Sequence, residues 1–190
     1  MDPVHDDTVR IFDTTLRDGE QAPGGTLTLP EKLEIARHLE SMGVDVIEAG
    51  FPISSDGDFE SVRAIAAEVE KSTVCGLARC APKDVQRAGE AVRGAARSRV
   101  HIFCATSKIH REHKLRKGKE EIIRIAVSSI RQALEYTKDI EFSPEDASRT
   151  EMEFLEEITQ AAIGRGRRRS ICPTRWATRR RAATARSSAT

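Results

Sequence analysis

The chain has 190 residues, of which 38% are hydrophobic and 32% charged. That balance suits a folded, water-exposed domain and is too apolar for an intrinsically disordered one. No apolar run approaches the ~20 residues of a membrane helix, so a membrane role is excluded. The start, Met1-Asp2-Pro3-Val4-His5-Asp6-Asp7, lacks the apolar core of a secretion signal.

The predicted elements alternate. Val9–Phe12 is a short strand candidate. A helix follows over about Leu29–Met42, with Thr28 and Glu31 in the T-x-x-E spacing of a capping box and Gly43 just past its end. Val44–Glu48 is the second strand, and Phe59, Val62, Ile65, Ala66 and Val69 mark a second helix. Thr73–Ala78 is the third strand, and Pro82 opens a helix through Val92. Val100–Cys104 is the fourth strand, followed by a long helix over about Lys119–Tyr136. Asp139–Ser143 is the fifth strand, and Thr150 with Glu153 gives a second capping-box spacing for a helix ending near Gly164. Five βα units imply a parallel sheet flanked by helices, that is, α/β class. A doubly wound sheet and a (β/α)8 barrel both fit this pattern.

In either fold, chemistry collects where strands end. After the first strand come Asp13, Arg17, Asp18, Glu20 and Gln21; the second ends at Glu48, the third at Arg79, and the fourth runs into Thr106 and Ser107. The fifth carries Glu141, Ser143 and Glu145, followed by Asp146 and Arg149. A carboxylate-rich mouth of this kind favours a hard divalent cation and an anionic oxygen substrate. His101, inside the fourth strand, reads as a packed or hydrogen-bonded histidine that touches substrate if the sheet closes as a barrel. His110 and His113 lie at i, i+3 in a basic segment and read as exposed rather than metal-binding. Cys75, Cys80, Cys104 and Cys172 have no C-x-x-C spacing, so they are expected to be reduced thiols in a cytoplasmic protein, Cys75 and Cys104 as small core residues. The chain has no G-x-G-x-x-G or P-loop motif, which leaves nucleotide binding by those routes unsupported.

The run Phe12-Asp13-Thr14-Thr15-Leu16-Arg17-Asp18-Gly19-Glu20-Gln21-Ala22-Pro23-Gly24 resembles the signature of the Claisen-condensing TIM-barrel metalloenzymes. That family holds the 2-isopropylmalate, homocitrate and citramalate synthases and the hydroxymethylglutaryl-CoA lyases. The likeness continues through Glu48–Pro52, Gly57–Glu60, Leu77–Cys80, His101–Ser107 and Glu141–Ala147. It covers residues 8–164, and the set is most similar to the bacterial 2-isopropylmalate synthases. The resemblance implies part of a TIM (β/α)8 barrel. It also implies a Mn2+ or Mg2+ cofactor on Asp18, with Arg17 stabilising the oxyanion of the reacting carbonyl or enolate. Gln21, Glu48, Arg79, His101, Ser143 and Glu145 are implied to line or support the oxo-acid pocket. The implied reaction joins acetyl-CoA to 2-oxoisovalerate as the first step of leucine biosynthesis, in a homodimer with no nucleic-acid partner. Citramalate or homocitrate synthesis is the alternative within the family, and a non-catalytic pseudogene product is the alternative outside it.

The tail departs from the family pattern. Residues 165–190 hold nine arginines and no acid, leaving 22 basic and 30 acidic residues, a net of −8, in residues 1–164. The family's two further metal ligands, a His-x-His pair on a later strand, are missing. Where a sixth strand like Asn-Leu-Pro-Asp-Thr-Val-Gly-Tyr-Ala-Thr is expected, the chain reads Ser170-Ile171-Cys172-Pro173-Thr174-Arg175-Trp176-Ala177-Thr178-Arg179-Arg180. Shifting the codons by one frame can spell the expected strand: the overlap of Trp176 and Ala177 encodes Gly, and that of Cys172, written TGC, with Pro173 encodes Pro. The expectation is a frame shift near Gly164, with residues 165–190 a non-native, disordered tail. The five units are then expected to leave the fifth strand as an open edge and the chain inactive, with one protein metal ligand. Nine arginines would also suit a phosphate-binding arm, but the tail lacks helical periodicity and motif.

Overall fold

The computed structural model describes residues 9–165 and the backbone of 169–170; the remainder of the tail reading lies outside the described residues. Among the described residues six strands run in chain order: β1 Phe12–Asp13, β2 Val46–Gly50, β3 Thr73–Arg79, β4 Ser98–Ala105, β5 Ile140–Glu145 and β6 Arg169–Ser170. Every neighbouring pair is parallel, and the sheet order is the same as the sequence order. A doubly wound sheet reverses direction at a switch point. This sheet does not, so it is an arc of a barrel. Five helices cover its outer side: α1 Leu29–Ser41, α2 Asp56–Glu68, α3 Pro82–Ala91, α4 Lys119–Ala133 and α5 Met152–Arg165.

The arc is strongly curled. In a flat sheet β1 and β4 would stand about 14 Å apart, three strand spacings. Instead the Phe12 and His101 rings meet edge-on with centroids 6.0 Å apart.

Strand residues alternate between two faces. Ile47, Ala49, Val74, Ala78, Val100, Ile102, Cys104, Ile140 and Phe142 face the helices and form one core with Val62, Ile65, Val85, Ile122, Ile130, Phe154 and Ile158. Burying each of the larger side chains stabilises the fold by about 1.5–3 kcal/mol. The opposite face carries Glu48, Cys75, Leu77, Arg99, His101, Glu141 and Ser143, all buried. It lines the inside of the curl, and its polarity singles it out as the candidate site.

Several expected boundaries are corrected. β1 is Phe12–Asp13 rather than Val9–Phe12: Val9 and Ile11 are exposed, and the Ile11 N–H donates to Asp45 Oδ2 at 2.8 Å instead of to a strand. β2 starts two residues later than expected, because Val44 still belongs to the end of α1. Gly43 takes a left-handed φ of 81°, and the Val44 N–H closes on the Leu39 carbonyl at 3.1 Å. The capping box at Thr28 is present, with Glu31 accepting from the Thr28 N–H and hydroxyl, both at 2.7 Å. The second box is not. Thr150 precedes the α5 cap, and its hydroxyl joins Thr106 Oγ1 at 2.7 Å and the Asp146 carbonyl at 3.0 Å. The fifth strand is not an open edge, since Glu141 and Phe142 pair with Arg169 and Ser170. Those two residues of the expected disordered tail are therefore a strand. Among the described residues, the three cysteines form no disulfide and no helix is long and apolar enough to cross a membrane.

Candidate active site

The inner site starts from the turn after β1. Asp13 accepts from the Thr15 N–H at 2.9 Å and its hydroxyl at 3.1 Å, and the N–H groups of Arg17, Asp18 and Gly19 converge on the Thr14 carbonyl. Leu16, fully buried, pins this turn into the core. A second anchor follows. Glu20 accepts from the Leu27 N–H at 3.1 Å and pairs with the buried Lys32 of α1 at 2.8 Å, while Lys32 also reaches Asp58 at 3.4 Å. Arg17 and Asp18 sit between these two anchors.

From there an unbroken chain of hydrogen bonds crosses the inner face. Asp18 Oδ1 accepts from Arg17 Nη1 at 2.8 Å, and Arg17 Nε donates to Glu48 Oε2 at 2.6 Å. Glu48 Oε1 lies 2.6 Å from His101 Nδ1, and His101 Nε2 lies 2.7 Å from Ser143 Oγ. Below them Glu141 Oε1 stands 3.8 Å from His101 Nε2, and its Oε2 accepts from Arg99 Nη1 at 2.9 Å. Arg99 Nη2 then donates to Asp139 at 2.8 Å.

Burial pushes the Glu48 carboxyl up, but the His101 hydrogen bond and the Arg17 cation outweigh it and hold the group below the ordinary carboxylate range. Glu48 is thus an ionised acceptor, so His101 Nδ1 carries the proton between them. Burial also opposes the Arg99 charge, yet Asp139 and Glu141 prevail and raise its pKa. Cys75, level with Glu48 in the sheet, is driven well up by burial and by the Glu48 and Glu141 charges. It stays a thiol, unsuited as a nucleophile or metal ligand.

Of the eight residues singled out from sequence, five join this chain: Arg17, Asp18, Glu48, His101 and Ser143. Glu145, at the end of β5, belongs to an outer cluster, held by Lys114 Nζ at 3.1 Å and 3.3 Å, with His110 Nδ1 at 4.0 Å. Arg79 leaves the inner face and pairs with Asp84 at 2.6 Å, its guanidinium over the Phe51 ring. Gln21 is exposed in the short helical turn Gly19–Gln21.

Sequence reasoning missed Arg99, Lys32 and Lys114. Arg99 left a signal: it shares the parity of His101 on β4, opposite Val100, Ile102 and Cys104. Lys114 left none, because it sits on a π-helical turn, His110–Leu115, closed by Arg116 at φ 54°. The same turn places Arg111 in a two-pronged pair with Glu151, at 2.9 and 2.8 Å.

A divalent cation needs several hard donors converging on one point. Among the described residues no group of three or more His, Cys, Asp and Glu side chains is arranged to hold a metal. Asp18 is exposed and already shares one oxygen with Arg17. The described residues supply a single candidate donor and do not by themselves fit a resident cation.

The profile of the HMGL-like family matches residues 8–172. The 2-isopropylmalate synthase of Rhodopirellula baltica is 58% identical over 158 residues, 83% of this chain and 30% of that protein. That of Methylacidiphilum infernorum is 59% identical over 157 residues, covering 82% and 31% of the two chains. The chain thus spans about 30% of the length of the curated relatives it matches. Among solved structures, the HMG-CoA lyase of Bacillus subtilis superposes with a TM-score of 0.69 at 15% identity, over 87% of this chain and 57% of that one. The Acinetobacter baumannii HMG-CoA lyase, solved with coenzyme A and 3-methylmalate, gives 0.66 at 15%, over 86% and 55%. At such identity the two structures bear on the fold alone, and they support the barrel arc.

Proposed function

The chain belongs to the HMGL-like family, and on that premise we propose that it carries the oxyanion half of a 2-isopropylmalate synthase site. The observation that carries this reading is the placement of Arg17, a cation fixed between Glu48 and Asp18 where β1 ends. A guanidinium held in advance by two carboxylates stabilises negative charge on a reacting carbonyl oxygen or enolate without reorganising, an effect worth about 3–4 kcal/mol. In the proposed reaction the acetyl-CoA methyl gives up a proton, the resulting carbon bonds to the keto carbon of 2-oxoisovalerate, and the keto oxygen takes up a proton to become a hydroxyl. Water then cleaves the thioester, giving 2-isopropylmalate and the CoA thiol. Glu48 orients Arg17 and His101 together, and His101 in turn fixes the Ser143 hydroxyl on the pocket wall. Glu145, at the end of β5, is kept as a further substrate contact in this reading, whereas Arg79 is committed to Asp84 and Gln21 is exposed in its turn. Asp18 would supply one oxygen donor to a Mn2+ or Mg2+ ion, and among the described residues no further donors converge with it. With that single donor, the isolated 190-residue chain is expected to be inactive.

The test has two arms. Purified 190-residue chain, given acetyl-CoA and Mn2+, should release no more CoA thiol with an oxo acid present than without one. A chimera carrying residues 9–163 in place of the matching segment of the Rhodopirellula baltica enzyme should release it with 2-oxoisovalerate in preference to pyruvate or 2-oxoglutarate. Arg17→Ala in the chimera should lower kcat by about 100-fold or more. A folded chimera with no activity, or one that prefers another oxo acid, overturns the assignment; oxo-acid-dependent turnover by the isolated chain overturns its predicted silence.

A further inference from the structure

Three side chains of the inner face, placed above in the oxo-acid pocket, also form a constellation with a second chemical capacity. Ser143 Oγ, His101 and Glu48 are joined in that order through opposite ring nitrogens, with legs of 2.7 and 2.6 Å. This is the arrangement of a serine hydrolase triad, in which the carboxylate fixes the tautomer and the imidazole takes the hydroxyl proton. With Nδ1–H committed to the ionised Glu48, a neutral ring turns its Nε2 lone pair to the Ser143 O–H. All three residues project from strands, β5, β4 and β2, so their spacing is set by the sheet ladder rather than by a loop. Glu141 Oε1, 3.8 Å from the same Nε2, supplies negative charge beside the imidazolium that forms once the proton has moved. Arg17, on the other oxygen of Glu48, keeps that carboxylate ionised behind the imidazole.

We propose that Ser143 is an acylatable nucleophile, and that the chain carries a Ser-His-Glu acyl-transfer site for small activated esters and thioesters. Ser143 Oγ attacks the acyl carbon while its proton passes to His101 Nε2. The bond from the acyl carbon to the leaving sulfur or oxygen breaks, and the leaving group departs with the proton from Nε2. Water later cleaves the serine ester, restoring the hydroxyl and releasing the carboxylic acid. Neither an oxo acid nor a metal takes part, so this site does not rest on the condensation reading and the two fail separately.

The full 190-residue chain, incubated with p-nitrophenyl acetate, should release a burst of p-nitrophenol, and peptide mass spectrometry should find one added acetyl mass on Ser143. Ser143→Ala should abolish that adduct, and His101→Gln should slow its formation by about 100-fold or more, the contribution of a positioned base. On the unaltered chain, 15N NMR should find the His101 proton on Nδ1 and not on Nε2. Absence of acetyl on Ser143 in the unaltered chain, equal labelling of the His101→Gln chain, or the opposite tautomer each overturns the proposal.

Discussion

Glu48→Gln is the sharpest probe of the inner site, because it keeps the side-chain shape and removes only the charge. The carboxylate is fully buried and makes two 2.6 Å contacts, one to Arg17 and one to His101. Breaking a buried ion pair from one side costs about 3–5 kcal/mol, because the partner charge is left uncompensated. Arg17 keeps Asp18 at 2.8 Å and about a fifth of its side-chain exposure, so the low end, about 3 kcal/mol, applies. With a urea m-value of about 2 kcal/mol/M, the unfolding midpoint followed by circular dichroism should fall by about 1.5 M at pH 7. The pH dependence has a definite sign. The Glu48 carboxyl is held below its ordinary value of 4.5, so its contribution is complete above that value and is lost as the pH falls through the folded-state value. The substituted chain has no such titration, so the gap between the two chains must narrow in acid. A midpoint shift under about 0.3 M at pH 7, or a gap of the same size in acid, would refute the reasoning.

Two further predictions concern the outer shell and the packing. The two-pronged Arg111 pair lowers Glu151 to about 2; a 13C carboxyl titration should find it there, and Arg111→Met should return it toward 4.5. Its stabilisation is present above 4.5 and fades as the pH drops toward 2; with the carboxylate about a third exposed, that amounts to under about 1 kcal/mol. A Glu151 titration indifferent to the substitution contradicts this. Gly89→Ala should cost about 1–3 kcal/mol in urea unfolding, because a Cβ there runs into the Tyr136 ring. Adding Tyr136→Ala should recover part of that loss, and strictly additive costs would show that the ring is not the obstacle.

The parts of the fold written in local pattern were legible. The helix starts at Leu29 and Pro82 fall where capping and proline chemistry put them, and the strands centred on Thr73–Ala78 and Val100–Cys104 follow their apolar runs. Misplaced boundaries came from tertiary competition for backbone groups: Val44 is claimed by the end of α1, Ile11 by the Asp45 carboxylate, and Thr150 by Thr106. At the site, residue identities were readable from the motifs, but their grouping was not. No linear spacing shows that Glu48, His101 and Ser143 touch, because that contact requires the sheet to curl. Nor does it show that Arg79 turns aside, because a nearby Asp84 offers it a 2.6 Å partner.

The serial strand order has a consequence for how this polypeptide is made. Each strand lies beside the one synthesised just before it, so every new βα segment leaving the ribosome finds its docking surface already waiting. Loop-closure entropy grows only slowly with length, and here no strand must wait for a distant partner, which suits vectorial, unit-by-unit assembly during translation. The growing edge of such an arc is always the most recently emerged strand, and that edge is where a chaperone would have to stand guard.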